Sequence, residues 1–216
     1  MEADNVNYNY DIISLCETSL NATIEVPENI LPGYKFYPCY HPDGNRSGGV
    51  GIFYKESLPL RIRHDLSFEE CIVSELSFGC KNIFFTVLYR NPRNKAQSAE
   101  FLNFIGNMEN LYCKIKEENP YAMFFAGDFN AHSQGWWPDG DTNPEGVLIE
   151  NMFSDLNLTQ LITEPTHFFV TAVGPLVFCR PMEKGSKEQK VKMEKMAKTL
   201  NMQHSLYTLH IGSKAH

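Results

Sequence analysis

The chain has 216 residues, 43% of them hydrophobic, enough for one sizeable domain with or without a tail. Its six cysteines (16, 39, 71, 80, 113 and 179) show no C-x-x-C spacing, and with no secretory signal or long apolar run they read as reduced thiols of an intracellular protein, in nucleus or cytoplasm. The net charge of −7 divides unevenly: residues 1–179 carry 11 basic and 23 acidic side chains, residues 180–216 carry 8 and 3, so the body argues against tight electrostatic binding of nucleic acid by itself while permitting a carboxylate-lined metal cleft.

Residues 1–10 are polar and rich in asparagine, a start without structure of its own. Asp11–Glu17 reads as a short buried strand with Glu17 at its carboxyl end, where ligand groups collect in layered α/β folds. An isolated Glu after a strand is more commonly a plain surface residue. Residues 18–47, with their prolines and turn formers, read as loop with one irregular helical turn. Ser47-Gly48-Gly49 turns into a strand at Val50–Tyr54, and Ile72–Leu76 and Ile83–Tyr89 form an antiparallel hairpin around Gly79-Cys80-Lys81-Asn82. Tyr89 ends its strand, and Pro92 forces the exit after Arg90 and Asn91.

From Ser98 to Lys116, Phe101, Phe104, Ile105, Met108, Leu111, Tyr112 and Ile115 recur at helical spacing, the pattern of a helix laid on a sheet. A central strand follows over 121–126, then a loop from Ser133 to Asn143 with Trp136 and Trp137, read as buried anchors in preference to stacking groups. Thr142 or Asn143 caps a second helix over 144–156 that begins at Pro144. Residues 170–179 are a brief apolar run with no evident place, and 180–202 show a lysine-rich helical pattern, expected to be a loosely attached basic helix.

The central strand runs into Gly127-Asp128-Phe129-Asn130-Ala131-His132. In extended chain, residues two apart share a face, so Asp128 and Asn130 are expected to enter one pocket while Phe129 points into the core. A carboxylate activates water or holds a hard cation, and an amide donates to a phosphate oxygen. The plain alternative is a strand ending in an Asp-Asn turn.

Taken in order, Glu17-Thr18, Tyr89-Arg90-Asn91-Pro92, Gly127–His132 and Glu164-Pro165-Thr166-His167-Phe168 resemble the endonuclease/exonuclease/phosphatase superfamily over residues 8–169. More narrowly, they resemble the apurinic-type endonuclease domain at the front of non-LTR (LINE, jockey-like) retrotransposon polyproteins. The resemblance implies a four-layer α/β sandwich and hydrolysis of DNA phosphodiesters with Mg2+, or Mn2+ in its place. It implies a nick that primes reverse transcription, made by a monomer ancestrally fused to a reverse transcriptase, with no membrane partner. Glu17 would then be the metal ligand, Tyr89 a phosphate contact, Asp128 the carboxylate that orients or deprotonates water, and Asn130 the amide at the scissile phosphate. Arg90, His132, Thr166 and His167 would be substrate contacts. The carboxylates of Glu17 and Asp128 are expected on one rim of the sheet.

Two departures shape a further expectation. The family opens with a strand ending in Asn well before the metal Glu, whereas sixteen residues precede Glu17; and no Asp-His pair, the family's closing catalytic element, follows position 132. The sequence therefore reads as a partial sandwich missing flanking strands, with residues 170–216 an unrelated helical tail, expected to nick DNA poorly. The alternatives are a catalytically inactive relic of such a domain or a phosphatase-branch member of the same fold.

Overall fold

The computed structural model describes residues 10–24, 26–27, 30–40, 48–136, 138–161 and 176–181. In chain order the elements are β1 (Ile12–Cys16), β2 (Tyr34–Cys39), β3 (Val50–Lys55), β4 (Leu60–Ile62), β5 (Cys71–Phe78), β6 (Lys81–Tyr89), α1 (Ala99–Glu117), β7 (Ala122–Asp128), α2 (Pro144–Asp155), β8 (Thr159–Gln160) and β9 (Leu176–Pro181). They build a three-stranded sheet, β1-β3-β2, and a six-stranded sheet, β4-β5-β6-β7-β9-β8. Among the described residues only β6 and β7 pair in parallel, and α1 makes the crossover that a parallel pair requires.

The run Met123-Phe124-Phe125-Ala126 dictates the layering, because so apolar a strand must be covered on both faces. Met123 and Phe125 pack with Phe101, Met108 and Leu111 of α1 and with Phe153 of α2. Ala122, Phe124 and Ala126 turn the other way, into a core shared with Ile12, Val50 and Ile52 of the smaller sheet. The α/β class is therefore borne out: helices on one face of the large sheet, a second sheet on the other. Ser98 caps α1 by accepting the Phe101 N–H at 3.1 Å, and Asn143 caps α2 by accepting the Gly146 N–H at 2.7 Å.

Three expectations need correction. Residues 34–39, read as loop, form strand β2; Pro38 misled the reading, yet β2 is an edge strand, where a missing N–H is tolerated. The hairpin turn is tighter than expected, because Phe78 already faces Lys81 and Gly79 takes φ +58 to close it. The domain does not stop at 169. Leu176–Pro181 runs antiparallel along β7, from Gly127↔Leu176 to Ala122↔Pro181, and completes the sheet beside its most buried strand. The basic helix expected beyond it, like Trp137, Thr166 and His167, lies outside the described residues. Among the described residues no helix is long and apolar enough to cross a membrane.

One buried cation ties the edge of the large sheet to α1. The Arg63 side chain, 10% exposed, donates to Glu118 at 2.6 and 2.8 Å, to Asp65 at 2.6 and 2.9 Å and to Glu75 at 3.1 Å. Arg63→Met is expected to cost roughly 3 kcal/mol in urea unfolding, because Glu75, 5% exposed, keeps only its bond to Arg61. The Arg63 hydrogen bonds hold the Asp65 carboxyl down at about 2, against 3.8 ordinarily. A depressed carboxylate stabilises the fold above its unfolded value and loses that contribution as pH falls through the folded one. Asp65→Asn should accordingly flatten the stability profile between about pH 4 and 2 and leave its slope near neutrality unchanged.

Candidate active site

Parallel pairing brings the carboxyl ends of β6 and β7 together, with Tyr89 directly opposite Asp128. β1, from the other sheet, ends at the same rim, where the Cys16 thiol donates to the Leu88 carbonyl at 3.5 Å. The next residue, Glu17, turns sharply at φ +55 and receives the Tyr89 hydroxyl proton on Oε1 at 2.6 Å, across 72 positions of sequence. Backbone bonds hold that bend: the Thr18 N–H donates to Gly49 O at 3.2 Å and the Ser19 N–H to Gly48 O at 3.0 Å.

The electrostatics show which charges share the rim. Burial pushes the Cys16 thiol up to about 12, with the charges of Asp128, Glu17 and Glu70 adding to it. Burial first, then the Glu17 bond and the charges of Glu17, Asp128 and Glu70, drives the Tyr89 phenol far above its ordinary value. Carboxylates from positions 17, 70 and 128 thus act on one thiol and one phenol. Sequence reasoning passed over Cys16 and Glu70; an acidic pair, Glu69-Glu70, directly before an apolar strand was the available signal.

The G-D-F-N segment departs from the extended geometry expected of it. β7 ends at Asp128, and Asn130 adopts φ +47 with its N–H donating to Asp128 Oδ1 at 2.9 Å. This is the Asp-Asn turn, formed because the carboxylate satisfies a backbone donor that leaves the sheet. Phe129 points into the core as expected, at 1% exposure. The Asn130 side-chain amide donates to the Arg90 carbonyl at 2.8 Å, so the turn packs against the end of β6.

Arg90 is not placed as a substrate contact. It is 2% exposed, and its guanidinium donates to the carbonyls of Phe129, Asn130, Asn91 and Asn94. It is a staple between the Asp-Asn turn and the loop leaving β6. His132 is half-buried at the base of the 132–143 loop, where its N–H donates to Asn143 Oδ1 at 3.1 Å and its carbonyl accepts the Asn143 N–H at 3.0 Å. Trp136 packs against the core beneath the helices, as an anchor should.

Among the described residues there is no group of three or more His, Cys, Asp or Glu side chains able to hold a metal alone. Glu17 and Asp128 nevertheless offer hard oxygen donors, and Mg2+ is commonly held by one or two carboxylates with waters and substrate phosphate completing its shell. The donor set fits that ion.

A model of the Endonuclease/Exonuclease/phosphatase family matches residues 4–180, a span that takes in all but the last residue of β9. An RNA-directed DNA polymerase from the mobile element jockey of Drosophila funebris is 23% identical over 173 residues, covering 79% of this chain and 17% of the relative. The chain therefore spans a small part of the length of the curated relatives it matches. Among solved structures, the AP endonuclease LMAP from Leishmania major superposes with a TM-score of 0.63 at 15% identity, covering 80% of this chain and 70% of that one. The endonuclease domain of TRAS1, a telomere-specific non-LTR retrotransposon, gives a TM-score of 0.55 at 17% identity, covering 69% and 68%. The likeness to non-LTR retrotransposon endonucleases expected from the motifs is borne out by these matches.

Proposed function

Because the chain belongs to the endonuclease/exonuclease/phosphatase family, we propose that the rim of Glu17, Asp128, Asn130 and Tyr89 hydrolyses DNA phosphodiester bonds with the aid of a divalent cation, Mg2+ or Mn2+. The observation that carries this reading is the Tyr89–Glu17 hydrogen bond beside Asp128, which gathers groups from three strands and two sheets at one rim. A cation held there by Glu17 and Asp128 supplies neutralisation of phosphoryl charge and a more acidic water.

The chain's own residues have separate tasks. Asp128 orients or deprotonates the attacking water. Asn130 spends one amide hydrogen on the Arg90 carbonyl and has a second to donate to a phosphoryl oxygen. A phenol has a single proton, and that of Tyr89 is donated to Glu17, so we assign Tyr89 to fixing the metal-ligating carboxylate. Tyr89→Phe keeps the ring in the core and is expected to change stability by about 1 kcal/mol or less, while weakening Mn2+ affinity by on the order of tenfold. Equal Mn2+ titrations of both proteins would remove Tyr89 from the site.

The jockey relatives are RNA-directed DNA polymerases, and we read this chain as the endonuclease part of such a polyprotein, acting inside the cell as a monomer whose nick leaves a 3′-hydroxyl primer. The test is incubation with supercoiled plasmid and Mg2+, followed by extension of the nicks with a DNA polymerase. Open circles that are extended without phosphatase treatment, and that vanish in EDTA, are the expected result. The rate should be low, because no Asp-His pair joins the site among the described residues. Nicks extendable only after phosphatase, or nicking indifferent to EDTA, would contradict the proposal.

A further inference from the structure

We propose that Glu70 is the positioning residue that sets the Glu17 carboxylate, an inference that rests on reading Glu17 as a metal ligand. Glu70 is 8% exposed and sits one residue before β5 at φ +55, a conformation that a residue with a side chain adopts when surrounding bonds hold it there. Two bonds hold it. Its Oε1 accepts the Gly49 N–H at 3.0 Å, and its carbonyl accepts the Tyr89 N–H at 3.0 Å.

Each bond leads to Glu17 by a different route. Gly48 and Gly49, at φ +103 and +83, accept the N–H groups of Ser19 and Thr18, the two residues after Glu17. A diglycine turn has no side chains to fix itself, and the space is tight: a Cβ on Gly49 would lie 2.7 Å from Thr18 Oγ1. Glu70 supplies the missing side chain and pins the turn against the large sheet. Through its carbonyl it also fixes the backbone of Tyr89, whose hydroxyl binds Glu17 directly. One residue thereby sets both the chain segment that carries Glu17 and the phenol that orients it.

The experiment compares Glu70→Ala, Glu70→Asp and Glu70→Gln in the full chain by two readouts: amide exchange of Thr18, Ser19 and Gly49 by NMR, and Mn2+ affinity by EPR. Alanine has no acceptor and aspartate is one methylene shorter, so both variants should exchange these amides about tenfold faster and bind Mn2+ on the order of tenfold or more weakly. Glutamine keeps an acceptor oxygen at the same reach and should exchange these amides as wild type does, with Mn2+ affinity falling less than in either other variant because only the charge is lost. Unchanged exchange in Glu70→Asp, or faster exchange with unaltered Mn2+ affinity, would overturn the inference, as would faster exchange in Glu70→Gln or a loss of Mn2+ affinity there as large as in Glu70→Ala. Absence of Mn2+ binding by the wild type would instead overturn the metal role of Glu17, and the exchange data would still decide whether Glu70 sets the turn.

Discussion

Gly127→Ala is expected to cost more than about 4 kcal/mol, enough to leave little folded protein at 25 °C. Gly127 lies in β7, one residue before Asp128, at φ +152, where L side chains are strained. A Cβ there would stand 1.8 Å from the Leu88 carbonyl oxygen and 2.8 Å from its carbonyl carbon, both backbone atoms of the paired strand. The neighbour cannot rotate away, so β6 and β7 would have to part at the rim that holds Tyr89 and Asp128. The control is Gly106→Ala in α1, where a Cβ meets nothing within 4 Å. That change should stabilise by roughly 0.5–1 kcal/mol, since alanine is the better helix former. Urea unfolding of the two variants therefore separates a general glycine effect from the close approach at the rim.

Arg90→Lys is expected to behave nearly as badly as Arg90→Met, each losing about 3–5 kcal/mol. The guanidinium satisfies four backbone carbonyls in fixed directions, and burial lowers its proton affinity against the charges of Glu145 and Asp128, which raise it. A lysine ammonium has three donors on a flexible stem and cannot span both loops, so charge conservation gives no rescue. The neighbouring Glu145 carboxyl, which burial alone would raise, is held below its ordinary value by the N–H groups of Ala96 and its own residue and by the charges of Arg90 and Lys95. Near-wild-type unfolding of Arg90→Lys would show that the positive charge, not the fork of hydrogen bonds, keeps the Asp-Asn turn in place.

The parts of the fold legible in the sequence are those fixed by local pattern. Phe101, Met108, Leu111 and Ile115 recur at helical spacing because one face of α1 must be covered, and the run at 123–126 reads as a strand because it is covered twice. Glu17 could be placed at a strand end but not beside Tyr89, since their bond depends on two sheets packing face to face. β9 was invisible for a related reason. Residues 176–181 show no alternation or turn signal that assigns them, and their place comes from pairing with β7, about fifty residues earlier, and with β8. β2 was obscured by Pro38, a local signal that its edge position overrides. At Asp128 and Asn130 the residues were found and their geometry was not. An extended pair and an Asp-Asn turn have the same spelling, and the Arg90 bonds that select the turn come from the residue just after β6.

The most direct measurement of the central claim is Mg2+-dependent nicking of supercoiled plasmid by the wild type, Glu17→Gln and Asp128→Asn, each first checked by circular dichroism to be folded. Both substitutions keep shape and remove charge, and Glu17→Gln leaves an oxygen to accept the Tyr89 hydroxyl. If Glu17 and Asp128 form the metal-dependent site, each variant should lose on the order of 10²–10³ in rate, with Mn2+ affinity falling in parallel. Nicking that persists in both folded variants at the wild-type rate would contradict the account, and would place the activity elsewhere on the chain or in a contaminant.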